Sequence, residues 1–320
     1  MSQVICLGEV LLDCIAENFG VPIEQVKSWA NYIGGAPANV ASALVKLGIA
    51  AAFIGCVGED PLGDSIYRYL SQQRVNISGV QRTAQFPTRQ VYVLRSLQGD
   101  RSFAGFNQPN PNAFADSYLS ATELPEKLFS NADYLVLGTL ELAYPQSREA
   151  IWHALELADK YYLRIVLDIN HRPVFWQDIS TAKPLIQRLL PRVDFLKLSA
   201  GEAQWLFATT DALAISDRVN SLEGVIVTNG SATVNYCFGD VIGTVQPKVV
   251  TVKDTTGAGD AFVAGFIQQL TQYKLSQLEN PEIADEIITY ACAVGSLTTT
   301  SVGAISAQPS IAEVIEFLDS

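Results

Sequence analysis

Short, almost continuously apolar runs alternate along the chain with longer segments whose apolar residues recur at helical spacing. Buried strands are predicted for VICLGEV, AAFIGCVG, DYLVLG, RIVLDIN, VDFLKLS and GVIVTNG. Helices are predicted for PANVASALVKLG, DPLGDSIYRYLSQQRV, PQSREAIWHALELADKYY, PLIQRLLPR and a long C-terminal region. Strands that are apolar on both faces and separated by helices indicate a mostly parallel sheet that helices cover on both sides. The pattern therefore predicts a three-layer α/β/α fold.

Two segments interrupt this alternation. Residues 88–107 have the pattern of two strands around the turn QGD, which predicts an antiparallel hairpin. Residues 13–33 lack a helical pattern and lie between the first strand and the first helix. We expect one domain spanning 1–320, with a small β lid formed by about 13–33 and 87–110.

Composition narrows the possible classes of protein. The chain has 320 residues, of which 48% are hydrophobic, so it can bury a large core. Its net charge of −12 argues against nucleic-acid binding, and no apolar run is long enough for a membrane span. The N-terminus resembles a strand rather than a signal peptide. Five scattered cysteines without C-x-x-C spacing are predicted to be free thiols in a cytoplasmic protein.

The stretch DTTGAGDAF, residues 254–262, joins an apolar run to a predicted helix. Asp254 is expected to end a strand formed by VVTV, and AFVAGFIQQL has helical spacing. Small residues at such a turn leave the first helical N–H groups uncovered, which makes an anion site with the helix dipole behind it. Asp260 could then accept a proton from an alcohol. The alternative is that the glycines only make the turn and Asp260 complements the dipole. The stretch is neither a G-x-G-x-x-G nor a Walker A motif.

A second glycine-containing turn, NYIGGAPANV, precedes the first predicted helix. Gly34 and Gly35 would let a ligand approach the backbone closely, and Pro37 suits the first helical turn. Asn39 offers a donor and an acceptor to hydroxyl groups. A tight turn followed by a solvated Asn39 explains the same residues equally well.

Together the two stretches resemble the two signatures of the PfkB (ribokinase-like) carbohydrate kinases. GGAPANVASALVKLG followed by FIGCVGEDPLG resembles the first signature, and DTTGAGDAF resembles the second. DINHRPVFW, residues 168–176, is similar to the D-x-N-x-R segment of fructokinases and related sugar kinases. The resemblance runs from LGEVLLD to VGAISAQPS and is greatest to bacterial fructokinases. It implies a ribokinase-like fold and phosphoryl transfer from ATP to a sugar hydroxyl.

The resemblance also implies roles for individual residues. In the family, the aspartate of G-A-G-D is the catalytic base, and Asp260 matches it here. The small residues of the motif form the anion hole. The anion-hole residues would be Gly257, Ala258 and Gly259. The matching sugar-binding positions are Asp13, Gly34, Gly35, Asn39, Glu141, Asn170 and Arg172. For Glu141, a solvated strand end is the alternative.

For the nucleotide, KLSAGEAQWL resembles the family's N-x-x-E segment, with Ser199 in place of the asparagine. Glu202 would act on Mg²⁺ through water, although a glutamate that begins a helix is the alternative. VTNGSATV resembles a T-x-G-x-x-G turn and gives Thr228 and Gly230, with alanine where the second glycine is usual. TTSVGAIS resembles the family segment that helps to bind a monovalent cation, and the resemblance implies a site for an ion such as K⁺ formed by Asp254, Thr256 and Gly303.

The identity of the sugar depends on the lid. Fructokinases and ketodeoxygluconate kinases usually carry an aromatic residue followed by arginine near the end of the second hairpin strand. Here Phe103 and Phe106 are present without that arginine, so we expect a neutral sugar, with fructose first. Arg89, Tyr92 or Arg95 could compensate, and Arg89 and Phe103 are predicted to bind substrate.

Other readings of the sequence remain. Ribose, 2-keto-3-deoxygluconate or a nucleoside could be the acceptor, and a catalytically silent binding module is a remote alternative. A dinucleotide-dependent oxidoreductase fits poorly, because G-x-G-x-x-G is absent after the first strand. We expect no nucleic-acid or membrane partner. Exposed strand edges in the lid predict a homodimer.

Overall fold

The structure is a computed structural model that describes residues 3–97 and 101–320. Its strands form one large and one small sheet. The strands are β1 (Val4–Leu7), β2 (Leu11–Phe19), β3 (Trp29–Gly34), β4 (Ala51–Gly58), β5 (Asn76–Thr83), β6 (Gln90–Arg95), β7 (Arg101–Phe106), β8 (Tyr134–Leu137), β9 (Arg164–Asp168), β10 (Phe195–Ser199), β11 (Gly224–Thr228), β12 (Val234–Phe238) and β13 (Val241–Val245).

The large sheet has the strand order β13-β12-β11-β10-β9-β8-β1-β4-β5. From β5 to β11 all neighbours are parallel, and the β12 and β13 strands are added antiparallel at one edge. The carboxyl ends of the parallel strands therefore lie at the same edge of the sheet, where open α/β sheets bind their ligands.

Helices connect the strands and cover both faces of the large sheet. The α-helices are α1 (Ala36–Lys46), α2 (Pro61–Gln72), α3 (Glu126–Phe129), α4 (Pro145–Tyr161), α5 (Ala182–Leu189), α6 (Ala200–Phe207), α7 (Ala212–Ser216), α8 (Ala258–Leu270), α9 (Pro281–Thr298) and α10 (Ile311–Asp319). Short 3-10 helices cover Ile23–Gln25, Ala115–Tyr118, Ala121–Glu123, Leu140–Ala143, Pro173–Phe175, Ile179–Thr181, Leu190–Arg192 and Leu275–Glu279.

Two apolar cores lie on opposite faces of the large sheet. In β1, Val4 and Cys6 pack into one core while Ile5 and Leu7 pack into the other, as expected for a strand buried on both sides. Helices α1, α2, α8, α9 and α10 contribute to the first core, and α3 to α7 contribute to the second. The predicted three-layer α/β/α fold is confirmed. The five cysteines are buried free thiols, as predicted.

The small sheet has the order β3-β2-β6-β7 and is built from the two segments that interrupt the alternation. β6 and β7 pair antiparallel, as the predicted hairpin requires, and the QGD turn lies outside the described residues. A third, smaller apolar cluster joins this sheet to the main body. Its buried members are Leu11, Val91, Leu140, Tyr144 and Phe175.

One predicted strand is wrong. Residues 249–252, VVTV, form no strand, and the last strand before Asp254 ends at Val245. The side chains of Val249 and Val252 are 96% and 52% exposed, and both line a cavity rather than pack into the sheet. Apolar residues that line a cavity give the same sequence pattern as a buried strand, so the pattern predicted a strand here.

Candidate active site

The GAG turn places the N-terminus of α8 at the carboxyl edge of the large sheet. Gly257 is the N-cap with φ of +77°, and a Cβ there would lie 2.8 Å from the Ala304 Cα, so the position requires glycine. No side chain of the described residues caps this end of α8, and the Ala258 N makes a long hydrogen bond of 3.3 Å to the Thr255 carbonyl oxygen. A helix N-terminus without a side-chain cap is a suitable place for an anion. Asp260 follows in the first helical turn.

Asp260 is hydrogen-bonded to a residue from the other glycine turn. The Asn39 Nδ2 donates to the Asp260 Oδ2 at 2.8 Å, which joins the first turns of α1 and α8. Burial raises the pKa of Asp260 above its ordinary value, whereas the Asn39 hydrogen bond and the charges of Lys197 and Arg172 favour the carboxylate. Gly35 caps α1 with φ of +105°, and a Cβ there would lie 2.5 Å from the carbonyl oxygen of Glu9.

A cavity of about 710 Å³ lies between the small sheet and the N-terminus of α8. Its wall contains most of the residues predicted to bind the sugar, the nucleotide or a metal ion, or to act as the catalytic base. These are Asp13, Gly35, Asn39, Phe103, Asn170, Arg172, Ser199, Glu202, Thr228, Thr256, Gly257, Gly259 and Asp260. Gly34 lies behind this wall, where a Cβ would meet the Asp13 Oδ2 at 2.5 Å, so its lack of a side chain makes room for that carboxyl group.

A second cavity of about 540 Å³ adjoins the first. The two share Thr228, Thr255 and Gly259, and the second also has Gly230 and Ala258 in its wall. Much of its lining is apolar and comes from 247–252 and α9. An elongated ligand with an apolar end and an anionic end would therefore span both cavities, with its anion at the N-terminus of α8.

Glu202 and Ser199 form a capping box at the start of α6. The Glu202 Oε2 accepts hydrogen bonds from the Ser199 N at 2.7 Å and the Ser199 Oγ at 2.8 Å. The Glu202 Oε1 accepts from the His171 N at 2.7 Å. The structural role that was the alternative for Glu202 is thus present, and it also fixes the loop that carries Asn170 and Arg172.

The three residues predicted to bind a monovalent cation lie together beside the GAG turn. The Asp254 Oδ1 accepts from the Thr256 N at 2.9 Å and the Thr256 Oγ1 at 2.7 Å, and its Oδ2 accepts from the Gly303 N at 3.0 Å. Asp254 is 6% exposed. Within residues 3–97 and 101–320, no cluster of three or more His, Cys, Asp or Glu side chains is arranged to hold a metal ion.

Arg89 does not lie in the cavity, so its predicted contact with substrate is corrected. Its guanidinium is buried against Asp116, with the Arg89 Nε at 2.6 Å from Oδ2 and the Arg89 Nη2 at 2.7 Å from Oδ1. It also donates to the hydroxyl groups of Ser117 and Tyr144 and to the carbonyl oxygen of Pro111. Through these contacts, the Arg89 side chain anchors the start of β6 to the main body.

Glu141, which was predicted to contact the sugar, does not line the cavity either. It is 1% exposed in the 3-10 helix Leu140–Ala143, outside the cavity wall, and neither carboxyl oxygen has a hydrogen-bond partner among the described residues. A Cβ on Gly8 would lie 3.0 Å from the Glu141 Oε2. Burial and the nearby Glu9 raise the pKa of Glu141 well above its ordinary value.

Three charged residues in the cavity wall were given no role by the sequence analysis, although Asp168 begins the quoted DINHRPVFW segment. Glu9 follows β1, Asp168 ends β9, and Lys197 lies in β10. The Lys197 Nζ contacts both carboxylate oxygens of Asp168, at 3.0 and 2.9 Å. Burial raises the pKa of Asp168 to about 6, although Lys197 opposes the change. Charged residues within otherwise apolar strands were the signal that could have identified them.

None of the described helices is both long and apolar enough to span a bilayer.

The chain is similar to known carbohydrate kinases in sequence and fold. The model of the pfkB family of carbohydrate kinases matches residues 1–311. A probable fructokinase-2 from Arabidopsis thaliana is 31% identical over 318 residues, covering 98% of this chain and 95% of the relative. A fructokinase from Xylella fastidiosa with bound ATP has a TM-score of 0.89 at 28% identity, covering 99% of this chain and 98% of that chain.

A fructokinase from Vibrio cholerae with bound fructose, ADP and calcium ion has a TM-score of 0.85 at 28% identity, with 99% of each chain covered. The likeness in sequence and fold thus extends over nearly the whole chain. The chain belongs to the PfkB family of carbohydrate kinases.

Proposed function

We propose that this protein transfers the γ-phosphoryl group of ATP to a hydroxyl group of fructose, forming fructose 6-phosphate. The observation that carries the proposal is the position of Asp260, beside the uncapped N-terminus of α8, where two cavities meet. Fructokinases that this chain resembles have been crystallised with ATP, and with fructose and ADP. A sugar in the larger cavity and a nucleotide in the smaller one would place a hydroxyl group, a phosphate and a carboxylate together.

In this proposal, Asp260 is the general base and the residues 257–259 form the anion hole. The Asn39 hydrogen bond fixes one carboxylate oxygen, so the other is left to face the sugar hydroxyl. The backbone N–H groups of Gly257, Ala258 and Gly259 would stabilise the charge on the transferring phosphoryl group. A positioned base typically contributes ~10²–10⁴-fold to such a reaction.

The sugar would be held by groups suited to several hydroxyls. Asp13, Asn39 and Asn170 supply carboxylate and amide groups, Gly35 allows close approach and Phe103 covers the ring. Arg172 and Lys197 are the cations among the described lining residues, and Lys197 is paired with Asp168. Because the Arg89 guanidinium is held by Asp116, it does not await a substrate carboxylate, which favours a neutral sugar.

The nucleotide would occupy the smaller cavity. Thr228 and Gly230 would contact the phosphates and Ser199 would lie nearby, with Val249 and Val252 beside the base. The carboxylates that suit Mg²⁺ line the larger cavity, and Glu202 would reach the ion through water because its own oxygens already accept hydrogen bonds. Mg²⁺ supplies charge neutralisation on the phosphates when bound. We place a monovalent cation such as K⁺ near Asp254, Thr256 and Gly303.

A substrate panel tests the proposal. Release of ADP would be measured with fructose, ribose, 2-keto-3-deoxygluconate and a nucleoside, and we expect the highest kcat/KM for fructose. The matched control is Asp260→Asn, which should keep sugar affinity within severalfold and lower turnover by at least ~10²-fold. Turnover of another substrate without fructose would refute the choice of sugar. Absence of turnover with every substrate would favour a silent binding module.

We also propose that the small sheet, within one domain spanning 1–320, acts as a lid that closes over the sugar and excludes water. Its cavity face carries Val91 and Val93, so Tyr92 points away and lies 5.0 Å from the ring of Trp29. If closure moves this sheet, fructose should change the contribution of Trp29 to the fluorescence, and Trp29→Phe should remove that part of the change. A signal that fructose leaves unaltered in the wild type would contradict closure.

The outer face and edges of the same sheet support a homodimer. β3 and β7 are edge strands, and the aromatic pair of Trp29 and Tyr92 lies on the face opposite the cavity. Light scattering at micromolar concentration should give twice the chain mass, and Tyr92→Glu should reduce it. A wild-type monomer would contradict this assembly. A cytoplasmic location remains a prediction.

A further inference from the structure

Lys197 occupies an unusual position for a charged side chain. It lies in the central strand β10, whose other residues are largely apolar, and is 8% exposed. Burying an ammonium group has a large desolvation cost, and an ion pair inside a protein seldom stabilises the fold more than apolar residues of similar size. The position therefore suggests a role beyond stability.

The Lys197 ammonium lies against the anion site. A Cβ placed on Gly259 would be 3.1 Å from the Lys197 Nζ, so the charge sits beside the backbone at the start of α8. Both residues line the larger cavity, and Gly259 also lines the smaller one. The lack of a side chain at Gly259 thus provides the space through which the ammonium reaches the junction of the cavities.

Three carboxylates surround the Lys197 ammonium group. Asp168, Glu202 and Asp260 all interact with Lys197, and each favours its charged form. Three carboxylates around one junction would repel a polyphosphate. The positive charge of Lys197, which lies in the sheet, offsets that repulsion. The N–H groups at the start of α8 attract the same phosphate from the other side.

We propose that Lys197 is a further catalytic residue, which contacts an oxygen of the γ-phosphoryl group during transfer, and that Asp168 is its positioning residue. This inference rests on the proposed kinase function. The sugar oxygen bonds to the γ-phosphorus as the bond from that phosphorus to the β–γ bridging oxygen breaks, and ADP leaves with the electron pair. The hydroxyl proton passes to Asp260, and Lys197 keeps its protons throughout.

Asp168 holds the ammonium by both carboxylate oxygens. This contact fixes the direction of the flexible lysine side chain before substrate arrives, which reduces the ordering required in the transition state. Because β9 and β10 are adjacent parallel strands, their register sets the position of the pair.

The decisive variant is the double change Lys197→Met with Asp168→Asn, which removes both charges and leaves no unpaired buried ion. We expect kcat to fall about 10²–10³-fold while the KM for sugar changes only severalfold. Lys183→Met is the matched control, since this partly buried lysine donates to the Trp205 carbonyl outside both cavities. If the double variant turns over like the control, the pair is structural and the inference is wrong.

A binding experiment tests the same contact without turnover. Calorimetry would compare ADP with a non-hydrolysable imido analogue of ATP, each with Mg²⁺, in the wild type and the double variant. A contact to the γ-phosphoryl group predicts that the variant loses at least tenfold in affinity for the analogue, about 1.4 kcal/mol, and only severalfold for ADP. Equal losses would overturn the inference. A wild type inactive on every sugar would refute the proposed function, and this comparison would still decide the role of Lys197.

Discussion

Replacing Glu9 by glutamine should stabilise the protein at neutral and alkaline pH and have little effect in acid. Glu9 is 7% exposed beside the cavity, and its Oε1 accepts a hydrogen bond from the Ala36 N at 2.7 Å, which the glutamine oxygen can also accept. Burial, opposed by that hydrogen bond and reinforced by the charge of Asp260, raises the pKa of Glu9 from 4.5 to about 7. The folded protein thus binds this proton more tightly than the unfolded chain does.

The sign and size of the effect follow from linkage. A raised carboxyl pKa means that wild-type stability falls as pH rises from 4.5 to about 7, because folding then buries an ionised group. One pKa unit corresponds to about 1.4 kcal/mol, so the full penalty is about 3 kcal/mol. Glutamine does not titrate, and its advantage over glutamate should therefore grow through this range and level off above it. Part of the gain would arise at Glu141, which loses a charged neighbour.

Urea unfolding at about pH 4.5 and pH 8 measures this difference directly. Glu149→Gln, an exposed change on α4, is the control and should show no comparable difference. A stability advantage of Glu9→Gln that is the same at both pH values, or larger in acid, would refute the reasoning. A wild type whose stability rises steadily from pH 4.5 to 7 while the variant's does not would refute it as well.

Further changes test other parts of the structure. Gly257→Ala should cost about 1–2 kcal/mol for its left-handed backbone alone, with more from Ala304, and thermal unfolding together with a lower kcat would report it; an unaffected enzyme would contradict the geometry of the turn. Arg89→Ala leaves Asp116 buried and unpaired and should destabilise by about 3–5 kcal/mol, whereas Arg89→Met with Asp116→Leu should regain most of that stability. Asp254→Asn should weaken any activation of turnover by K⁺, measured against Na⁺, and full activation in that variant would remove Asp254 from the cation site.

The sequence predicted the fold well where burial alone determines local structure. The run AAFIGCVG coincides with β4, Ala51–Gly58, because a central parallel strand is apolar on both faces. It failed where apolar residues serve a cavity, as at Val249 and Val252. The antiparallel edge formed by β12 and β13 was also not predicted.

The candidate site was predicted in part for a related reason. Glycine turns such as Gly35 and Gly257 leave a local signature, because their backbone conformations exclude other residues. Arg89 and Lys197 leave no such signature. The role of each depends on a partner distant in sequence, Asp116 for Arg89 and Asp168 for Lys197, which only folding brings close. A charged residue in an apolar context signals that such a partner exists without showing whether the pair faces ligand or core.

The β2–β3 hairpin leaves and re-enters the main body at almost the same point. The chain enters the hairpin after Glu9 and leaves it at Ala36, and the Ala36 N donates a hydrogen bond to the Glu9 Oε1 that joins these two points. The intervening chain is therefore a closed loop whose far end, around residues 20–28, can lengthen or shorten without altering the distance between β1 and α1. Such an arrangement lets the small sheet, which we propose as a lid, diversify in evolution while the spacing between β1 and α1 stays constant.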